Sequence, residues 1–210
     1  MKTMKLLLGI FIIGILFVAL STRAYSQEWY GAATYQVSFP TGDTKDFTNE
    51  SPSWRGVGLD YRKAINWNTT FGVFFGWNVF HERTDKTIQL QTDNPGAVTG
   101  LQDRYLNSFP IMVNVHRYLG ERGGIRPYLG VNAGGMITLQ RFEIGIIALQ
   151  KDPWVWAAAP EIGFVIPLQS GATILLNGKY NYAFTGTSVV GGDIKHSYFT
   201  IGLGFAWSQY

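Results

Sequence analysis

The sequence has 210 residues, of which 46% are apolar, 15% aromatic and only 15% charged, with 25 glycines and no cysteine. Without cysteine there is no disulfide framework, thiolate zinc site, thiol nucleophile or lipid-modified N-terminal cysteine. So little charge suits neither a disordered chain nor an ordinary soluble surface, where about 25% is usual.

The first 26 residues carry Lys2 and Lys5, an apolar run from Leu6 to Leu20, and Ala24-Tyr25-Ser26 before Gln27. A basic start, a short apolar stretch and small residues at −3 and −1 predict a Sec-type signal peptide over 1–26, too short to span a bilayer as a helix. The formal net charge of +3 belongs to it. Beyond it the chain holds 14 basic and 14 acidic groups, so no nucleic-acid footprint remains.

From Gln27 onward, apolar residues alternate with small or polar ones, a period of two that predicts strands. In 29–39 one face is Trp29, Gly31, Ala33, Tyr35, Val37 and Phe39. In 69–80, Phe71, Val73, Phe75, Trp77 and Val79 share a face, and 108–116 alternates likewise. Weaker versions cover 54–62, 126–139, 154–166 and 172–184, and the last strand runs through Phe199–Trp207. Eight strands result.

The connections alternate in length. Pro40–Pro52, His81–Tyr105, Gln140–Pro153 and Thr185–Lys195 are long and polar, whereas Lys63–Asn68, Leu119–Ile125 and Pro167–Gly171 are short. This order predicts an eight-stranded antiparallel up-and-down transmembrane β-barrel over 27–210, with short turns in the periplasm and long loops outside. A soluble lipocalin-like barrel or a β-sandwich is the competing fold, but its water-facing strand faces would carry many charges. Here the non-apolar faces hold mainly Gly, Ala, Ser, Thr and Asn, which suit a narrow lumen filled by side chains. Trp29, Trp54, Trp67, Tyr105, Tyr128, Trp154 and Trp207 fall near strand ends, where interfacial aromatic belts form.

The stretch Thr200-Ile201-Gly202-Leu203-Gly204-Phe205-Ala206-Trp207 resembles the C-terminal β-signal of outer-membrane proteins, followed here by Ser208-Gln209-Tyr210. Trp29-Tyr30-Gly31-Ala32-Ala33, Phe39-Pro40-Thr41-Gly42-Asp43 and Arg126-Pro127-Tyr128-Leu129-Gly130-Val131 are similar to small barrels of the outer-membrane β-barrel domain superfamily. That superfamily includes the OmpA membrane domain and OmpW-like proteins. The resemblance implies an integral protein of the bacterial outer membrane, inserted by the barrel-assembly machinery. That machinery would read Thr200, Gly202, Phe205 and Trp207. Outer-membrane lipids and lipopolysaccharide are the implied surroundings, and a monomer the implied state.

Four charges have inward parity: Asp60, Arg62, Glu161 and Lys179. Two of each sign predict a neutral cluster across the lumen, read as an ionic plug rather than a gate or proton path. Three histidines are candidates for lipid A chemistry, in His81-Glu82-Arg83, His116-Arg117-Tyr118 and His196-Ser197-Tyr198. The His-x-Ser arrangement of the lipid A deacylases is absent. His116 is expected inside near the periplasmic rim, and His81 and His196 at the loop rim as solvated groups able to meet across the mouth. Asp43, Asp46 and Glu50 offer oxygen ligands without EF-hand spacing, and a flexible solvated loop is expected there. No phosphate loop, His-Glu-x-x-His or dinucleotide fingerprint occurs, so neither cofactor nor metal is expected.

The long loops hold ten acidic and seven basic groups, and the short-turn side carries Lys63, Arg117, Arg122 and Arg126 against Glu121. The expected role is non-enzymatic, structural or surface-interacting, with His81–Tyr105 as the contact loop. A narrow conduit for small apolar molecules, as in OmpW-like proteins, is the alternative, and a lipid A-modifying enzyme a third reading.

Overall fold

The computed structural model describes residues 29–48, 52–90, 96–121, 123–144, 147–168, 172–187 and 193–209. The expected signal peptide lies outside them. The elements are β1 (Trp29–Thr41), α1 (Gly42–Thr48), β2 (Gly56–Asn66), β3 (Thr69–Leu90), β4 (Gly96–Tyr118), β5 (Arg126–Ile144), β6 (Ile147–Lys151), β7 (Trp154–Pro167), β8 (Thr173–Thr187) and β9 (Asp193–Gln209).

Every pairing between them is antiparallel. The sheet closes on itself because β4 also pairs with β5, and β1 meets β9 along all 13 of its residues, from Trp29↔Gln209 to Thr41↔Ser197. Strands β6 and β7 form one stave interrupted at Asp152-Pro153: Gln140↔Lys151 and Ile137↔Trp154 continue one register on β5. The molecule is therefore a closed, eight-staved, up-and-down β-barrel. Closure pairs the backbone groups that an open sheet would leave at its edges.

Alternation sorts the side chains as the pattern predicts. Leu59, Val131, Trp156, Ile162, Leu203 and Phe205 point outward and are more than half exposed. Their strand neighbours Asp60, Asn132, Ala157 and Glu161 are buried inside. Among the aromatic belt residues, Trp54, Trp67, Trp154 and Trp207 are outward and exposed, but Tyr128 is turned inward and buried. Its place is in the lumen, not in the belt.

A packing rule governs the lumen wall. Directly across a strand pair, a long polar side chain faces a glycine: Gly72↔Asn114, Asn177↔Gly202, Gly56↔Asn78 and His116↔Gly130. A Cβ at Gly202 would lie 2.2 Å from Asn177 Oδ1, and one at Gly130 2.2 Å from His116 Cδ2. The glycines leave the space that these side chains occupy.

Three of the regions expected as long loops are largely strand. From Asn78↔Ser108, β3 and β4 pair without a break up to Leu90↔Gly96, and β5 and β6 form a second hairpin up to Ile144↔Ile147. Upper β8 and β9 are joined by Thr185↔Lys195, Gly186↔Ile194 and Thr187↔Asp193. Polar and charged residues fall on both faces of these strands, so hydropathy does not alternate and leaves no period-two trace. The fourth region contains α1, entered through Gly42 at φ 51°.

Candidate functional site

The lumen divides into three storeys. The middle one is the ionic cluster, and the four charges expected to meet do meet there. Arg62 on β2 grips Asp60 on the same strand, Nε to Oδ1 at 2.9 Å and Nη2 to Oδ2 at 2.7 Å. Glu161 on β7 is the centre. Its Oε1 accepts from Tyr128 Oη at 2.7 Å, Asn177 Nδ2 at 3.0 Å and Arg62 Nη2 at 3.3 Å. Its Oε2 accepts from Asn132 Nδ2 at 3.0 Å and His116 Nε2 at 3.2 Å, and pairs with Lys179 Nζ at 3.3 Å. Lys179 Nζ also sits 3.3 Å from the centroid of Phe74, and Asn114 Nδ2 donates to Asp60 Oδ1 at 3.1 Å.

Every charged member of this cluster is buried. Two carboxylates balance a guanidinium and an ammonium; Glu161 Oε1 accepts three hydrogen bonds, and Oε2 accepts two beside its ion pair with Lys179, which is what makes buried charge tolerable. Asp60, His116 and Glu161 lie close enough together to suggest a metal site. Their oxygens are already engaged by Arg62 and Lys179, whose charges repel a cation, so the donor set fits a plug rather than a metal centre.

Parity placed the four charges and His116 inside the barrel. It did not show that His116, Tyr128, Asn114, Asn132 and Asn177 bond the two carboxylates. The inward parity of asparagines beside a lone glutamate is the signal that could have found them.

The upper storey holds an apolar cluster set among buried polar side chains such as Ser38, Asn78, Ser108 and Thr138. Phe80, Leu106, Met112, Met136, Val155, Ala157, Ala159, Ala183 and Tyr198 pack inside the barrel, with Phe47 of α1 on top. Large apolar side chains thus join the small and polar residues expected in the lumen. The flexible loop expected around Asp43 and Asp46 is corrected too: α1 folds inward as a cap. Thr44 Oγ1 accepts from Ser197 N at 2.9 Å, Asp43 Oδ2 accepts from Lys195 N at 2.9 Å, and Arg104 Nη1 donates to the Phe47 carbonyl at 3.0 Å. Asp43 is therefore a tether of the cap, while Glu50 lies outside the described residues.

His196 lies beneath this cap, 2.7 Å from Gln140 Nε2 through Nε2 and 3.5 Å from Thr44 Oγ1 through Nδ1. It is buried, not a solvated rim histidine. It lies above the outward apolar run Phe199–Trp207 of β9. Burial pushes it down to about 4, against a weaker opposite pull from Asp43. His81 lies on the outer wall instead, stacked on Tyr105 and 3.3 Å from Asp103 Oδ1. The expected meeting of His81 and His196 across the mouth does not occur, because their positions have opposite parity. With His116 on Glu161, the three histidines occupy three separate environments.

The lower storey, at the short-turn rim, is hollow. A cavity of about 50 Å³ for water-sized occupants lies below the cluster, between Ala32, Arg62, Thr70, Tyr118, Arg126 and Leu175. Arg126 was expected in the short-turn region; its side chain is inward and buried.

No family model matches the chain, and no curated relative does. Solved structures do match its fold. The attachment invasion locus protein Ail of Yersinia pestis, solved with the heparin analogue sucrose octasulfate, aligns with 87% of this chain and 100% of its own, at 14% identity and TM-score 0.50. Neisserial surface protein A aligns with 89% of this chain and 99% of its own, at 12% identity and TM-score 0.53. The outer-membrane protease OmpT of Escherichia coli aligns with 90% of this chain and 99% of its own, at 6% identity and TM-score 0.51. The chain has the fold of bacterial outer-membrane barrels, and these neighbours differ in role.

Proposed function

We propose that this chain is a non-enzymatic integral protein of the bacterial outer membrane that acts in surface interaction. The observation that carries this reading is the β3–β4 ribbon. β3 has 22 residues and β4 has 23, whereas a tilted crossing needs about 9–11. Roughly half of each strand therefore extends beyond the apolar band, an ordered platform where binding residues concentrate. The sealed middle of the lumen supports a role outside the barrel rather than through it. Ail, an attachment invasion protein by name, is a precedent for this fold. The outer-membrane lipids, lipopolysaccharide and the assembly machinery belong to the same reading, with Thr200, Gly202, Phe205 and Trp207 as the assembly signal and a monomer as the working state.

The test displays the full chain on cells, beside a variant in which 82–104 is replaced by a tight turn. Attachment to protein- and glycan-coated surfaces should fall with the trimmed ribbon while barrel yield is kept. Equal attachment at equal yield overturns the reading.

A second reading, a conduit for small apolar molecules, draws on two observations. An apolar cluster occupies part of the upper storey. In addition, the β7–β8 ladder stops at Ala157↔Ala183: above it, Trp154–Trp156 pair with β5, and Thr185–Thr187 with β9. Reproducible single-channel steps or solute uptake by the purified barrel would favour that reading.

A further inference from the structure

The hollow lower storey holds unfilled hydrogen-bonding capacity that the plug does not use. Arg126 reaches across the short-turn rim from β5, donates from Nη2 to the Trp67 carbonyl at 3.0 Å and lies 5.0 Å from the Tyr118 ring centroid. Its Nε is buried without a partner, and so is Thr70 Oγ1; both residues line the same cavity. An unpaired buried donor is costly, so each orphan marks a place where another group fits.

The charge balance gives the sign of that group. The charged side chains lining the cavity are Asp60, Arg62 and Arg126. Asp60 is already held by two bonds from Arg62, so the Arg126 charge is uncompensated within the cavity. An apolar wall of Ala32, Ala64, Val165, Leu175 and Ala206 faces a polar rim that includes Asn66, Thr69 and Thr173. A volume of about 50 Å³ suits roughly four waters or one small oxyanion.

We infer that this cavity is a binding site for a small carboxylate with a short aliphatic tail. Arg126 Nε–H and the Thr70 hydroxyl donate to the carboxylate, and the tail lies against Leu175, Val165 and Ala206. The site opens at the short-turn rim, which faces the periplasm if the proposed location holds; its chemistry does not depend on that location. Free phosphate shares the anionic chemistry but not the tail.

The experiment titrates the full barrel in detergent micelles with acetate, propionate and inorganic phosphate at constant ionic strength. It follows the methyl resonances of Val165, Leu175 and Ala206. Saturable shifts are expected, with propionate about fourfold tighter than acetate from one added methylene. Arg126→Gln should weaken binding by at least about tenfold, and Thr70→Val by a smaller factor. Should Arg126→Gln fail to fold, Thr70→Val alone decides, since it keeps shape and removes the donor. Non-saturating shifts, or equal affinity in a folded variant, overturn the site. Phosphate bound as tightly as propionate overturns the carboxylate assignment.

Discussion

Glu161 shows what one residue can hold together. Six groups on four other strands converge on its two oxygens, so its removal leaves Arg62 and Lys179 with a single buried counter-charge, Asp60. Breaking a buried pair from one side typically costs about 3–5 kcal/mol, while replacing both partners by apolar groups is often nearly neutral. Glu161→Gln should therefore lower the urea midpoint of the barrel in micelles strongly, and Lys179→Met should do so as well. The double variant should be more stable than the sum of the single losses, and strict additivity would show that the pair is not coupled. Inward parity made the four charges legible in the sequence. The hydrogen-bonding shell was not, because a two-residue period places a side chain on a face without giving its height around the barrel. That height depends on strand register and stagger, which only the closed ring sets.

Elements depend on one another through similar pairings. The glycines opposite long polar side chains make a testable case. Gly202→Ala would place its Cβ 2.2 Å from Asn177 Oδ1, the end of a side chain, whereas Gly72→Ala would strike the Tyr61 carbonyl of the backbone at 2.1 Å. Shortening Asn177 to Ser should relieve the Gly202→Ala defect in melting temperature. Trimming Asn114 to Ser should leave the Gly72→Ala defect in place, since the backbone collision remains. Equal rescue at both sites would contradict the packing rule. The cap is an element with a pH dependence. His196 is held at about 4 by burial, below its ordinary value near 6.5. A base lowered on folding contributes full stability above pH 6.5 and loses it as pH falls toward 4, by about 3 kcal/mol in all. Protease access to 42–48 should therefore rise between pH 6.5 and 4. His196→Gln should flatten that profile, and an unchanged profile in the variant would remove His196 from the cap. The cap itself left little trace in the sequence. A seven-residue helix rich in Asp and Thr has neither the length nor the apolar spacing to announce itself; tertiary contacts to Lys195, Ser197 and Arg104 fold it.

At the scale of the whole molecule, the alternation of strands, the alternation of turn lengths and the scarcity of charge all follow from a closed ring with one outward apolar face. These features were readable directly. The vertical division of the lumen was not, because the apolar cluster of the upper storey uses inward residues that resemble outward ones in composition: Phe80, Leu106, Met112 and Met136. The division has a consequence for transport. α1 closes the upper mouth with Phe47, and the Glu161 cluster closes the middle, drawing side chains from β2, β3, β4, β5, β7 and β8. Two barriers in series obstruct an ion as strongly as the tighter one, and the cluster is tighter, since its charges are buried and bonded. Replacing 42–48 by a Gly-Ser linker should therefore leave planar bilayers as silent as the intact barrel, although the cap is gone and its protease sensitivity altered. Adding Glu161→Ser and Lys179→Ser to the linker variant removes the central bonds as well, and single-channel steps should then appear. Steps from the linker variant alone would show that the cap is the seal and that the ionic cluster leaves a path around it.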